Sequence, residues 1–208
     1  MRALEFLSVL RKNNMSIFSV RDAANLFPDA NVATLNNNLA SWVKKGYIER
    51  LKRDLYVRVE PGLCSEIPDF YVANKLYSPS YISLETALSH YNIIPEIAVQ
   101  VTSVTPKPGR EFKNRYGVFI YRSCKNRAFT GYRIVSYEGY NVLIADKEKA
   151  LVDFIYFKLR HGLAVDFDEE RFDRTILRGI AWAKAAGYAE RFNTVTLKKL
   201  TDCRKWTE

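Results

Sequence analysis

Histidine and cysteine are scarce, and neither forms a pattern. Three cysteines, Cys64, Cys124 and Cys203, are widely spaced and odd in number. They offer no metal-ligand spacing and no disulfide framework. The two histidines, His90 and His161, lie far apart at the ends of expected helices. With no serine or cysteine partner nearby, surface or helix-capping roles are the plainer reading. Glycine forms no phosphate-cradling loop. The carboxylates form no pair arranged for acid–base work. Pro68-Asp69 and Asp146-Lys147-Glu148-Lys149 hold acids of the kind metal-dependent nucleases use, but the second group has the wrong spacing and a helix cap explains it. The expectation is a protein that is not an enzyme, with no catalytic residue, no metal and no cofactor.

Long apolar runs are also missing; none approaches the roughly 18 residues of a membrane span. The opening MRALEFLSVLRKNN places Glu5 and Arg11 inside its apolar pattern and has no small-residue cleavage site, so it does not read as a signal peptide. No membrane partner is expected, and the expected compartment is the cytoplasm.

The 208 residues leave room for one large or two small domains, and 48% hydrophobic with 26% charged residues is a globular composition. Net charge is +9, and the excess falls in the N-terminal and middle parts. Positive charge favours polyanionic partners without separating DNA from RNA, membrane or an acidic protein.

The stretch that organises the chain is NVATLNNNLASWVKKGYIERLKRDLYVR, residues 31–58. Asn31 is a good N-cap, and Val32, Leu35, Leu39, Trp42 and Val43 have the spacing of an amphipathic helix. Lys44 and Lys45 suit its negative end, and Gly46 leaves it. Tyr47, Ile48 and Leu51 lead to a polar turn at Lys52-Arg53-Asp54, and Leu55, Tyr56 and Val57 return as a hairpin. At about 100° per residue, the face opposite Leu35 and Leu39 carries Thr34, Asn37, Ser41 and Lys44, with Asn38 and Lys45 on its flank. Small and amide side chains can pair with base edges and cations can reach phosphates. Asn36-Asn37-Asn38 are poor helix formers, so helix stability does not account for them. The expected DNA-contacting set is Thr34, Asn37, Asn38, Ser41, Lys44 and Lys45, with Lys52 and Arg53 on the wing.

Before this stretch, helix one spans about Arg2 to Asn13, Met15 to Phe18 is extended, and Ser19 caps a second helix through Phe27. That order is the order of a winged helix-turn-helix. The expected organisation is a winged helix-turn-helix domain at 1–60, a linker at 61–68 and an α+β domain at 69–208. In the last, Asp69–Tyr77 is a short helix and Tyr81-Ile82 is extended. Ser83 caps a helix that stops at Asn92. Ile97–Thr105, Tyr116–Ser123, Tyr132–Glu138 and Tyr140–Ala145 read as strands of an antiparallel sheet. Asp146 caps a buried helix in which Lys149 and Asp153 can pair. The remainder is helical: Phe167–Trp182, Lys184–Phe192 and a short helix near Thr196–Leu200.

A second basic region holds Lys107, Arg110, Lys113, Arg115, Arg122, Lys125, Arg127 and Arg133 against one acid, Glu111. Aromatics interleave with them: Phe112, Tyr116, Phe119, Tyr121, Phe129 and Tyr132. Two readings stand side by side: a binding surface for nucleic acid or an acidic partner, or an aromatic core with a solvated cationic rim.

Three stretches together resemble the AbiEi family of antitoxins from type IV toxin–antitoxin systems: GYIERLKRDLYVR (46–58), SPSYISLETALSHYNIIPE (78–96) and IADKEKALVDFIYF (144–157). Asp54 stands where that family commonly has a glycine in the wing. The resemblance implies a winged helix that binds double-stranded operator DNA and represses its own operon, with room for dimerisation on DNA. It further implies a second domain that counters a nucleotidyltransferase-like toxin without a stable complex. The alternative is a winged-helix transcriptional regulator whose second domain binds a ligand or dimerises.

Overall fold

The computed structural model describes residues 2–59 and 67–208. The chain is mixed α+β and divides into two compact units, Met1–Ile67 and Pro68–Glu208. Of the expected linker, 61–66 lie outside the described residues, as does Cys64. No helix among the described residues is long and apolar enough to cross a membrane.

In the first unit the elements are α1 (Ala3–Lys12), β1 (Ile17–Ser19), α2 (Val20–Leu26), α3 (Val32–Lys44), β2 (Ile48–Lys52) and β3 (Leu55–Arg58). The strands form one antiparallel sheet in the order β1-β3-β2. Local chemistry sets the helix starts. The Asp22 N–H donates to Ser19 Oγ at 3.1 Å and the Ser19 N–H donates to the Asp22 carboxylate at 2.8 Å, a reciprocal cap that satisfies two orphan donors. Asn31 Oδ1 accepts the Ala33 N–H at 2.8 Å. Gly46 then takes φ +72°, a left-handed exit from α3 that glycine adopts without steric cost. The helices close over the sheet through Phe6, Leu10, Phe18, Leu35, Leu39, Trp42, Ile48 and Tyr56. Phe6 is central, its ring centroid 4.7 Å from that of Trp42, 5.3 Å from Phe27 and 5.5 Å from Phe18. Val32, expected on the apolar face, is exposed; the buried stripe starts a turn later at Leu35.

The second unit contains α4 (Asp69–Leu76), β4 (Tyr81–Ile82), α5 (Leu84–His90), β5 (Val101–Thr105), β6 (Arg110–Asn114), β7 (Gly117–Ser123), β8 (Tyr132–Tyr137) and β9 (Tyr140–Ala145). Helices α6 (Lys147–Arg160), α7 (Arg174–Arg178), α8 (Trp182–Glu190) and α9 (Thr194–Thr207) follow. Its sheet runs β6-β7-β5-β4-β9-β8.

This unit departs from the expected one in both its strands and its helices. The sheet is mixed, not antiparallel: β5 pairs with β7 and β4 with β9 in parallel. Strand β6, absent from the sequence reading, takes the edge. Its hairpin partner β7 turns back beside β5 and so runs the same way as β5. The strand expected from Ile97 begins only at Val101, and β5 is buried on both faces. Its two threonines are bonded, Thr102 Oγ1 donating to the Ser83 carbonyl at 2.7 Å and Thr105 Oγ1 to the Pro79 carbonyl at 2.8 Å, whereas the buried Ser103 hydroxyl has no hydrogen-bond partner among the described residues. The helix expected over Phe167–Trp182 is reduced to α7, because the Asp166 carboxylate accepts the N–H groups of Asp168 and Glu169 in a turn and Arg171 adopts φ +54°. The final helix is longer than expected, started by Asn193 accepting the Thr196 N–H at 2.8 Å.

Helix α6 is the buried axis of this unit. Asp146 Oδ1 accepts the Lys149 N–H at 2.8 Å and starts it. Asp153 is fully buried and receives three donors: the Lys149 ammonium on Oδ1, and the Ser83 hydroxyl at 2.8 Å and the Tyr81 hydroxyl at 3.0 Å on Oδ2. Ser83, expected to cap α5, stands at the N-cap position but spends its hydroxyl on Asp153. Burial pushes the Asp153 carboxyl above its usual range although Lys149, Ser83 and Tyr81 all favour the anion. Removing one member leaves the other charge buried and unpaired. Asp153→Ala and Lys149→Ala should therefore each cost about 3–5 kcal/mol in urea denaturation. The paired Lys149→Met/Asp153→Leu change should cost clearly less than either. A double variant as damaged as the singles would show that the pair's ionic character is not what matters.

Candidate nucleic-acid interface

The outer face of α3 is built by the inner one. Leu35, Leu39 and Trp42 are buried, which fixes the rotation of the helix and turns the opposite residues outward. Thr34, Asn37, Lys44 and Lys45 are exposed, and Asn38 and Ser41 are half-buried. A line of hydroxyl and amide groups thus runs along the helix towards two ammonium groups. Its polar groups are not required to hold the unit's apolar core together.

The hairpin supplies the second half. Arg50 pairs with Tyr56 and Lys52 with Leu55, so Leu51 is an extra residue on β2, a bulge that sharpens the local twist. Leu51 itself is buried, and Lys52, half-buried, falls within β2 rather than in the turn. The turn is Arg53-Asp54. Asp54 sits at φ +60°, the conformation for which glycine is favoured and which Asp tolerates better than most residues. Its carbonyl accepts the Val20 N–H at 3.2 Å, tying the tip to the start of α2. Its carboxylate lies 3.6 Å from Arg53 Nε, with both side chains largely exposed. Sequence reasoning left out one cation here: Arg50 is exposed on β2, with Nε donating to the Lys52 carbonyl at 3.3 Å. Only the bulge, which is invisible in sequence, shows where its side chain stands relative to Lys52.

The second basic set belongs to the other unit and is more heavily committed to its own fold. Lys107 donates to the Ser78 carbonyl at 2.6 Å and lies over the Tyr77 ring, as does Arg110. Arg115 lies 4.8 Å from the centroid of Tyr116, and Arg127 donates to the Phe192 carbonyl at 3.1 Å. Lys113, Arg122 and Lys125 are exposed. Of the interleaved aromatics, Phe119 and Tyr121 are core, the Tyr121 hydroxyl donating to the Ala73 carbonyl at 2.6 Å. Phe112, Tyr116 and Phe129 are half-buried, and Tyr132 is exposed at the sheet edge, stacked on Tyr81 with centroids 4.8 Å apart.

Among the described residues no cluster of His, Cys, Asp and Glu is placed to hold a metal. Burial pushes the Cys124 thiol up to about 11 and the Cys203 thiol up to about 12, away from the thiolate that reactivity needs. No protein-family model matches the chain, and no curated protein matches it.

Asp54→Gly removes an anion from a surface of cations, frees Arg53 from its 3.6 Å neighbour and relieves a left-handed non-glycine residue, a strain of order 1 kcal/mol. The variant should melt no lower than the parent and bind duplex DNA of any sequence several-fold more tightly at low salt, measured by fluorescence anisotropy. Unchanged DNA affinity with raised stability would place the tip away from the phosphates.

Proposed function

We propose that the first unit is a winged helix-turn-helix, that α3 is its recognition helix, and that the chain is an AbiEi-like antitoxin of a type IV toxin–antitoxin system. In this reading the N-terminal unit binds double-stranded operator DNA and represses its own operon. The second unit counters a nucleotidyltransferase-like toxin without forming a stable complex with it. The observation that carries the DNA half is the outward face of α3. Thr34 and Asn37 stand exposed opposite a buried apolar stripe, on the third helix of a helix–strand–helix–helix–hairpin order. Side chains of this kind discriminate base edges in the major groove, while Lys44, Lys45, Lys52, Arg53 and Arg50 meet phosphates. The antitoxin half rests on the resemblance of residues 78–96 and 144–157, which supply β4, α5 and α6 of the second unit.

The two halves have separate tests. Asn37→Ala should cost roughly 1–3 kcal/mol on the specific site upstream of the gene and little on random duplex, by footprinting and titration. Equal losses on both would mean that Asn37 does not specify. For the second half, expression of the full chain should restore growth when a neighbouring nucleotidyltransferase-like toxin is induced. Rescue should persist in the Asn37→Ala variant. Failure to rescue, with folded protein and active toxin, leaves the plain winged-helix regulator.

A further inference from the structure

Between α5 and β5 the chain passes through residues 91–100. Apolar alternation places Ile97 and Val99 in a strand, yet Val101 is the first residue with a ladder partner, Phe119. The preceding segment is held outside the sheet. The Asp173 N–H donates to the Ile93 carbonyl at 2.9 Å, Arg171 pairs with Glu96 at 2.9 Å, and Ile93 and Ile94 are buried. On this anchored segment Ile97 is 88% exposed and Val99 93%. Two aliphatic side chains so fully in water, on a backbone pinned at either side, are a feature the fold does not explain.

Concavities lie to both sides. One, of about 420 Å³, reaches from Val99 over Ile94, Ile120 and Phe154, and its charged lining is Glu85, Glu96, Glu169 and Glu170 against Arg122 alone. The other, of about 430 Å³, lies between Ile97, Asn92, Arg171 and Asp173. Glu96 and Glu170 are already paired with Arg171 and Lys158, which leaves the Glu85 and Glu169 carboxylates for an incoming group. In a chain of net charge +9 this is a surface that repels polyanions and attracts cations, beside apolar groups that water solvates poorly. Among the described residues no set of side chains is placed to ligate a metal ion, and the exposed aliphatic pair would add nothing to one.

We propose that the Ile97–Val99 segment and its flanking concavities are a docking surface for a different protein, and that the docked element is an amphipathic segment bearing aliphatic side chains interspersed with lysine or arginine. The aliphatic groups cover Ile97 and Val99 and enter towards Phe154; the cations meet Glu85 and Glu169. This docking is independent of DNA binding, which the proposed function assigns to the other unit.

The test uses the full-length protein and three labelled short peptides of equal length: Leu/Lys-patterned, Leu/Glu-patterned and Ser/Lys-patterned. Fluorescence anisotropy should show the Leu/Lys peptide binding at least about tenfold more tightly than the other two, with an affinity that falls as salt rises. Ile97→Ser/Val99→Ser should lose about tenfold, and Glu85→Gln/Glu169→Gln should lose several-fold and flatten the salt dependence. Both variants should keep the parent's melting temperature and duplex-DNA affinity. Equal binding of the three peptides, or undiminished binding by the Ile97/Val99 variant, overturns the proposal. So does sedimentation showing a dimer of the parent that the same variant abolishes, because the surface then belongs to a second copy of the chain.

Discussion

The second unit depends on one buried ion pair. Asp153 and Lys149 sit one turn apart on α6, with side chains essentially inaccessible. A carboxylate in that position survives only if its oxygens are fully used, and the donors that use them come from elsewhere in the chain. Tyr81 ends one hydroxyl there and Ser83 another, so β4, only two residues long, is held at the middle of a six-stranded sheet by side chains as well as by its ladder. The requirement spreads outward. The Tyr81 ring packs on Phe129 and Tyr132. The Lys149 ammonium stands 4.4 Å from the centroid of Phe192, in the turn between α8 and α9. The Lys149 stem also passes so close to Gly131 that a Cβ there would stand 2.9 Å from its Cγ, and 2.7 Å from the Tyr188 ring.

The first unit is stabilised differently. Its centre is apolar, with Phe6 in contact with Phe18, Phe27 and Trp42, and Ser19 and Asn31 keep their polar bonds at the helix starts, outside it. That division lets α3 carry Asn36-Asn37-Asn38, three residues whose intrinsic preference runs against a helix. Burial of Leu35, Leu39 and Trp42 outweighs the propensity, as tertiary packing of an amphipathic face generally does. The outer face is then under little constraint from folding, and its composition is open to selection by a partner.

Local features were legible in the sequence because their determinants lie within a turn or two along the chain. Ser19, Asn31 and Asp146 start helices through bonds to N–H groups two or three residues on. The buried stripe of α3, the hairpin that follows it and the i, i+4 contact of Lys149 with Asp153 are short-range in the same way. The cap reading failed at Ser83, where a partner 70 residues away competes for the same hydroxyl.

Tertiary structure alone decided the rest. The sequence by itself determined where most helices begin, which face of α3 turns inward and that Asp153 has a partner one turn away. It could not determine strand order, because a count of turns does not say whether β6 or β7 lies inside, and only the pairing with β5 makes that edge of the sheet mixed. Nor could it place Ile97 and Val99: an alternating apolar pattern satisfies a strand equally well whether or not a neighbouring strand reaches it, and the β7 ladder stops at Val101. Caps and helix faces are set by contacts the chain makes with itself nearby, whereas strand order and exposure are set by residues that meet only when the fold has closed.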